Sequence, residues 1–135
     1  MSQGERLIMS LGHLDVVPVG PGWKHEPFGA EIDAGYIYAR GAEDDKGPTM
    51  ASFFALRAIK ECCPELNARF RQVFGCDEES GFLCVHRYTE TEEAPTYGVA
   101  PDSGWPLYHA EKGIANLFIE APLYKGPMSL VDACG

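Results

Sequence analysis

The stretch from residue 39 to residue 48 constrains this chain more than any other. It reads Ala-Arg-Gly-Ala-Glu-Asp-Asp-Lys-Gly-Pro and places three acids beside one lysine. Acidic side chains this close repel one another unless cations or strong hydrogen-bond donors lie between them. Pro48 suits the first turn of a helix, and the apolar run from Met50 to Ile59 supplies its body. The pattern predicts an acidic turn that leads into a buried helix; a solvated charged turn is the alternative.

Polar side chains also follow three apolar, strand-like runs, at residues 7–11, 69–76 and 96–100. Open α/β sheets bind ligands at the carboxyl ends of their strands, so groups at these positions can meet at one edge. His13 and Asp15, two residues apart on an extended segment, point the same way and can act together. The residues expected to converge at that edge are His13, Asp44, Glu78, Glu79 and Asp102.

The other apolar and polar runs of the sequence predict further helices and strands of one α/β domain, with no internal repeat and no linker. A helix is predicted from about Pro48 to Cys63, packed under the sheet and ended by Pro64. Further predictions are a short strand at 35–39, a short helix near 82–88 and a last strand at 114–120.

Composition narrows the function classes. The 135 residues suffice for one domain with a core, and eleven Lys and Arg against twenty Asp and Glu give a net charge of -9. Such a balance argues against nucleic acid as a partner and is compatible with cation binding. No signal peptide or membrane-spanning stretch is recognisable. The five Cys, odd in number and without a C-x-x-C pair, predict reduced, mostly buried thiols in a cytoplasmic protein.

Four carboxylates and one imidazole cannot lie together in charged form without cations. Oxygen ligands with one imidazole suit zinc, manganese or cobalt, and two metals that share a carboxylate would satisfy more of the acids than one. His25-Glu26 does not begin an H-E-x-x-H zinc helix, because Pro27 would break it and Gly29 stands where the second His is needed. The sequence Asp102-Ser103-Gly104 also suggests an alternative, half of an aspartic protease. That alternative leaves the other acidic motifs without a role.

Four motifs carry a family resemblance. Gly12-His13-Leu14-Asp15, residues 39–48, Asp77-Glu78-Glu79-Ser80-Gly81 and Ala100-Pro101-Asp102 resemble, in this order, the metal-site motifs of the M20 metallopeptidases. Within that family, the chain most resembles the bacterial PepV-like (Xaa-His) dipeptidases. Four features carry this narrower resemblance: Trp23 with Pro27-Phe28, the sequence D-D-K-G-P, Arg87-Tyr88, and residues 109–113. It implies a three-layer α/β/α zinc-exopeptidase-like catalytic domain with a mixed, mainly parallel sheet.

The resemblance also implies a site that binds two Zn²⁺ ions, with Mn²⁺ or Co²⁺ as alternatives. His13 and Asp102 would hold one metal, Glu79 the other, and Asp44 would bridge both. The implied activity is hydrolysis of the peptide bond of dipeptides or other small peptides.

Two further roles follow from the resemblance. Asp15 would orient His13 through its other ring nitrogen, and Glu78 would be the general base that takes a proton from the attacking water. The peptide bond after Asp44, cis in many relatives, is expected to be cis here.

The chain departs from the family pattern in length. The family's remaining metal ligand, a His near the end of a longer chain, has no counterpart before Gly135, and the lid domain and the usual amino-terminal helical segment are also missing. Residues 1–135 are therefore expected to be part of a catalytic domain, weakly active or inactive alone. Exposed sheet edges would allow it to form oligomers. The alternatives are an amide deacylase of the same family and a catalytically inactive truncated remnant.

Overall fold

A parallel sheet forms the centre of the computed structural model, which describes residues 6–104 and 106–120. The sheet consists of β1 (Leu7–His13), β4 (Arg69–Gly75) and β5 (Tyr97–Val99), in the order β4-β1-β5. All pairs in it are parallel. No residue of β1 is exposed, as expected for a middle strand flanked on both edges. The predicted α/β class with a mainly parallel sheet is confirmed.

Two helices connect these strands. Helix α1 (Gly47–Cys62) leads from β1 toward β4 and packs against both strands, and α2 (Leu83–Thr91) lies between β4 and β5. Pro48 is in the first turn of α1, where its missing N–H costs nothing. Both helices lie where they were predicted, with shifts of a few residues at their ends. The prediction that α1 is buried is wrong: Thr49 is its one buried residue, and Phe53 and Phe54 are 41% and 54% exposed, because the contacts of α1 with β1 and β4 leave much of its apolar surface uncovered.

A separate hairpin precedes the acidic turn. Strands β2 (Glu31–Asp33) and β3 (Tyr36–Tyr38) pair antiparallel around Ala34 and Gly35, which both have positive φ, as a tight hairpin turn requires. Only the second of these strands was predicted. Outside the hairpin, the ring of His25 stacks on Tyr38 with 4.1 Å between centroids, so this histidine is a packing residue.

Two predictions are wrong. Residues 114–120 form no strand, and the side chains of Ile114, Leu117, Phe118 and Ile119 are 88 to 93% exposed. A strand needs a neighbouring backbone to accept its hydrogen bonds, and none of the described strands pairs with this segment. The thiols are free, but Cys62, Cys63 and Cys76 are exposed and Cys84 is half-buried. Cys62 and Cys63 are exposed because they lie at the carboxyl end of α1. Cys134 lies outside the described residues.

Neither α1 nor α2, the two α-helices in the described ranges, combines the length and apolarity that crossing a membrane requires.

Candidate metal centre

The last residue of β1 is the centre of an acidic cluster. His13 is 3% exposed, and its Nε2 lies 3.0 Å from Asp44 Oδ1 and 3.3 Å from Asp102 Oδ2. Asp44 lies in a five-residue π-helical turn, Ala42–Lys46, and Asp102 follows β5. Each of the three offers one ligand atom, and these atoms all lie within 4.8 Å of one another. That spacing allows a single cation to contact all three.

A second group shares the same imidazole. Glu78 and Glu79 begin the short 3-10 turn Glu78–Ser80 after β4, and together with His13 they offer ligand atoms within 4.8 Å of one another. The structure thus brings all five predicted site residues to one sheet edge. Among the described residues, no group of three at this spacing contains both Asp44 and Glu79. The bridging role of Asp44 stays a prediction.

Three groups of the cluster, His13, Glu78 and Asp102, have raised pKa values. Burial alone would lower the pKa of His13, but the Asp15 carbonyl and the nearby carboxylates raise it above its usual value. Burial raises the pKa of Glu78. Burial, followed by repulsion from Asp45 and Asp44, raises the pKa of Asp102. Each of the three groups therefore favours its protonated form more than it would in water, the two acids first through burial and His13 through the Asp15 carbonyl and its acidic neighbours.

Asp15 joins the two halves of the cluster. The Nδ1 of His13 lies 3.0 Å from the Asp15 carbonyl oxygen and 3.4 Å from Asp15 Oδ1. With a metal bound, a proton on Nδ1 would donate to that carbonyl, and the lone pair of Nε2 would be free to bind the metal. The carboxylate itself accepts the backbone N–H groups of Glu78 at 3.1 Å and Glu79 at 3.0 Å. Asp15 therefore positions both the imidazole and the glutamate loop.

Backbone geometry holds the acidic turn against β1. Gly41 has φ +81, and its carbonyl accepts the N–H of Lys46 at 3.0 Å, which closes the turn. The Lys46 ammonium donates to the carbonyl of Leu14 at 2.7 Å. The peptide bond between Asp44 and Asp45 is cis, as expected from the resemblance.

Sequence reasoning missed a buried contact under this turn. Asp45 and Thr49 are both 0% exposed, and the Thr49 hydroxyl donates to Asp45 Oδ2 at 2.8 Å. The same oxygen accepts the backbone N–H of His13 at 3.1 Å. Gly12 leaves the room for this contact, since a Cβ there would overlap Thr49 Oγ1 and lie 2.7 Å from Asp45 Oδ2. The one available signal was an acid four residues before a threonine at the start of a helix.

The donor set fits a divalent cation. Glu79 Oε1 is buried without a hydrogen-bond partner in the part of the chain that the structure describes, which is costly for a carboxylate oxygen. Carboxylate oxygens with one imidazole nitrogen are ligands that zinc, manganese or cobalt accept. The residues that would hold such an ion are His13, Asp44, Asp102 and Glu79.

Comparison with known proteins decides the family. Residues 9–117 match the model of "Peptidase family M20/M25/M40". The chain belongs to the M20 peptidase family. The predicted family is confirmed by this match. The narrower resemblance to PepV-like (Xaa-His) dipeptidases stays a prediction.

Two bacterial relatives illustrate the match. The chain is 51% identical over 120 residues to "Putative dipeptidase YtjP" of Bacillus subtilis, which covers 89% of the chain and 26% of that protein. It is 43% identical over 112 residues to "Putative dipeptidase SH1171" of Staphylococcus haemolyticus, covering 83% and 24%. The chain thus spans about a quarter of the length of the curated relatives it matches.

Solved M20 structures share the fold. An M20 family metallo-carboxypeptidase, Sso-CP2 from Sulfolobus solfataricus, aligns with a TM-score of 0.63 and 30% identity, over 76% of the chain and 24% of that protein. Human carnosine dipeptidase 1 aligns with a TM-score of 0.58 and 27% identity, over 74% and 23%. The described sheet and helices therefore form a partial M20 peptidase fold.

Proposed function

We propose that this chain forms part of the catalytic domain of a metal-dependent peptidase that hydrolyses dipeptides or other small peptides. The observation that carries the proposal is the convergence of a buried imidazole nitrogen and four carboxylates at one sheet edge. Relatives whose names include the word dipeptidase support the same substrate class. The relatives are about four times as long as this chain, so the proposed activity is that of a whole protein of their length.

Residues of the chain divide into ligands and a base. His13 Nε2, Asp44 and Asp102 would hold one Zn²⁺, and Glu79, with Asp44 as a bridge, would hold a second; Mn²⁺ or Co²⁺ would suit the same donors. When bound, the metal supplies Lewis-acid polarisation of the peptide carbonyl and acidifies the attacking water. Glu78, beside the ligand Glu79, would accept the water proton and return it to the leaving amine. Asp15 would keep His13 and the glutamate loop in place.

Replacing Glu78 by glutamine should separate chemistry from metal binding. We expect the Glu78→Gln chain to bind Zn²⁺ with nearly unchanged affinity while its dipeptide hydrolysis falls by about 10²- to 10⁴-fold, the usual loss when a general base is removed. Metal affinity is measured by isothermal titration calorimetry after chelator treatment. Hydrolysis is measured at high protein concentration, because turnover of this chain alone is expected to be slow.

Glu90→Gln is the matched control, since Glu90 is an exposed glutamate on α2, outside the cluster. It should change neither quantity. Hydrolysis that survives in Glu78→Gln, or that is insensitive to chelator, would contradict the assignment of the base. Faster hydrolysis of N-acyl amino acids than of dipeptides would favour the amide deacylase. Failure of the unmodified chain to bind metal would select the catalytically inactive remnant.

A further inference from the structure

We propose that the Asp45 carboxylate and the Thr49 hydroxyl form a buried latch that positions His13 and Asp44 for one divalent cation. The inference rests on the proposed function and extends it to two residues that have no ligand or base role in it. The latch comprises two hydrogen bonds to one oxygen, Asp45 Oδ2: from the Thr49 hydroxyl at 2.8 Å and from the His13 backbone N–H at 3.1 Å.

The latch ties together the two segments that carry the paired ligands. His13 ends β1, whereas Asp44 precedes Asp45 directly in the turn before α1. Its carboxylate Oδ1 lies 3.0 Å from His13 Nε2 even though 31 residues separate the two in sequence. The Asp45 carboxylate accepts the N–H of His13, and Asp45 is bonded directly to Asp44 in the chain. The position of Asp45 therefore sets the separation of His13 and Asp44.

Burial makes this contact rigid. Asp45 and Thr49 are both 0% exposed, so water does not compete for their hydrogen bonds. Thr49 lies in the first turn of α1, and its hydroxyl holds the Asp45 side chain against the strand. Gly12 has no side chain to separate helix from strand at this point. The other carboxylate oxygen, Asp45 Oδ1, has no hydrogen-bond partner among the described residues. The hold on Asp45 therefore depends on Oδ2 alone.

Outer partners of metal ligands commonly act in this way. Hydrogen bonds that orient a ligand are worth about 10- to 100-fold in metal affinity when they are removed. Thr49 and Asp45 are therefore positioning residues that act through His13 and Asp44. Loss of the hydroxyl should leave the ligand atoms present but let the turn shift relative to β1.

The test compares Thr49→Val, which keeps the branched shape but removes the hydroxyl, with Thr49→Ser, which keeps the hydroxyl. The measured quantities are the Zn²⁺ dissociation constant by calorimetry and the melting temperature of the metal-free chain by circular dichroism. We expect Thr49→Val to weaken zinc binding by about 10- to 100-fold, and Thr49→Ser to remain close to the unmodified chain. Thr91→Val is the matched control, because the exposed Thr91 hydroxyl bonds only within α2, to the Arg87 carbonyl.

A purely structural role predicts a different result. Thr49→Val would then have a lower melting temperature, but its folded form would bind zinc as tightly as the unmodified chain, and that result would overturn the latch. Thr49→Ala, which removes the hydroxyl without filling the space, is interpreted in the same way if Thr49→Val does not fold. If the unmodified chain binds no zinc, the proposed function fails and the latch fails with it. If Asp44→Ala loses zinc but Thr49→Val does not, the latch alone fails.

Discussion

Gly12→Val is expected to destabilise the chain more than any other single substitution at the site. A Cβ at this position would overlap Thr49 Oγ1 and approach Asp45 Oδ2 to 2.7 Å, and valine adds two further methyl groups. Strand β1 and helix α1 would have to separate, which breaks the hydrogen bonds to Asp45. Overpacking together with an unsatisfied buried carboxylate should lower the free energy of unfolding by about 3 kcal/mol or more. Chemical denaturation of the metal-free chain measures this change.

Gly98→Val provides the control, because it adds the same side chain to a strand of the same sheet. A Cβ at Gly98 would meet Met9 atoms no closer than 3.8 Å, an ordinary contact distance. We expect a change within about 1 kcal/mol, since the added side chain has room at an exposed position. Equal losses in the two variants would contradict the view that close approach at Gly12 is required. Little loss in Gly12→Val would contradict it more strongly.

Asp44→Ala is expected to have the largest effect on metal binding. Its carboxylate contacts the His13 imidazole at 3.0 Å and is the proposed bridge between two ions. Removing a direct ligand should cost more than the roughly 10- to 100-fold lost with an outer partner, so zinc affinity should fall by more than about 100-fold. Zinc should also no longer raise the melting temperature, because stabilisation by a ligand requires binding to the folded state.

Stability of the metal-free Asp44→Ala chain should not fall. The Asp44 side chain is 57% exposed, and two opposing effects of its removal should largely cancel. The pKa of Asp102, raised by burial and by repulsion from Asp45 and Asp44, would lose one source of repulsion, while the His13 imidazole would lose its contact with Asp44. Glu43→Ala removes the adjacent, exposed acid and should leave zinc affinity unchanged. Zinc binding that survives in Asp44→Ala, or an equal loss in Glu43→Ala, would mean that the acidic turn attracts cations only through its overall charge.

Local signals in the sequence were sufficient for the sheet and for the site edge. Strand β1 is a nearly continuous apolar run, and β4 carries Phe70, Val73 and Phe74 among polar residues, so the ends of both strands could be located to within two residues. Parallel strands also align their carboxyl ends, as the pairing of His13 with Gly75 shows. This alignment explains why His13, Glu79 and Asp102 meet although they are far apart in the sequence. The start of α1 followed from Pro48.

Features that depend on tertiary partners could not be predicted. The apolar run at 114–120 has the composition of a strand, but composition does not supply a neighbouring backbone. The Asp45 carboxylate looks like any acid in a charged turn, and only the packing of α1 on β1 buries it beside Thr49. Asp15 was expected to orient His13 through its other ring nitrogen, and the Asp15 carbonyl oxygen lies 3.0 Å from that Nδ1. The further contacts of its carboxylate, which accepts the N–H groups of Glu78 and Glu79, depend on the folded glutamate loop and could not be predicted.

Anomalous X-ray diffraction from crystals of the chain grown with Zn²⁺ would test the metal centre most directly. We expect a zinc peak about 2.0–2.2 Å from His13 Nε2 and from carboxylate oxygens of Asp44 and Asp102, with a second peak beside Glu79. Zinc bound only elsewhere, for example at the exposed thiols of Cys62 and Cys63, or no zinc at this sheet edge, would contradict it.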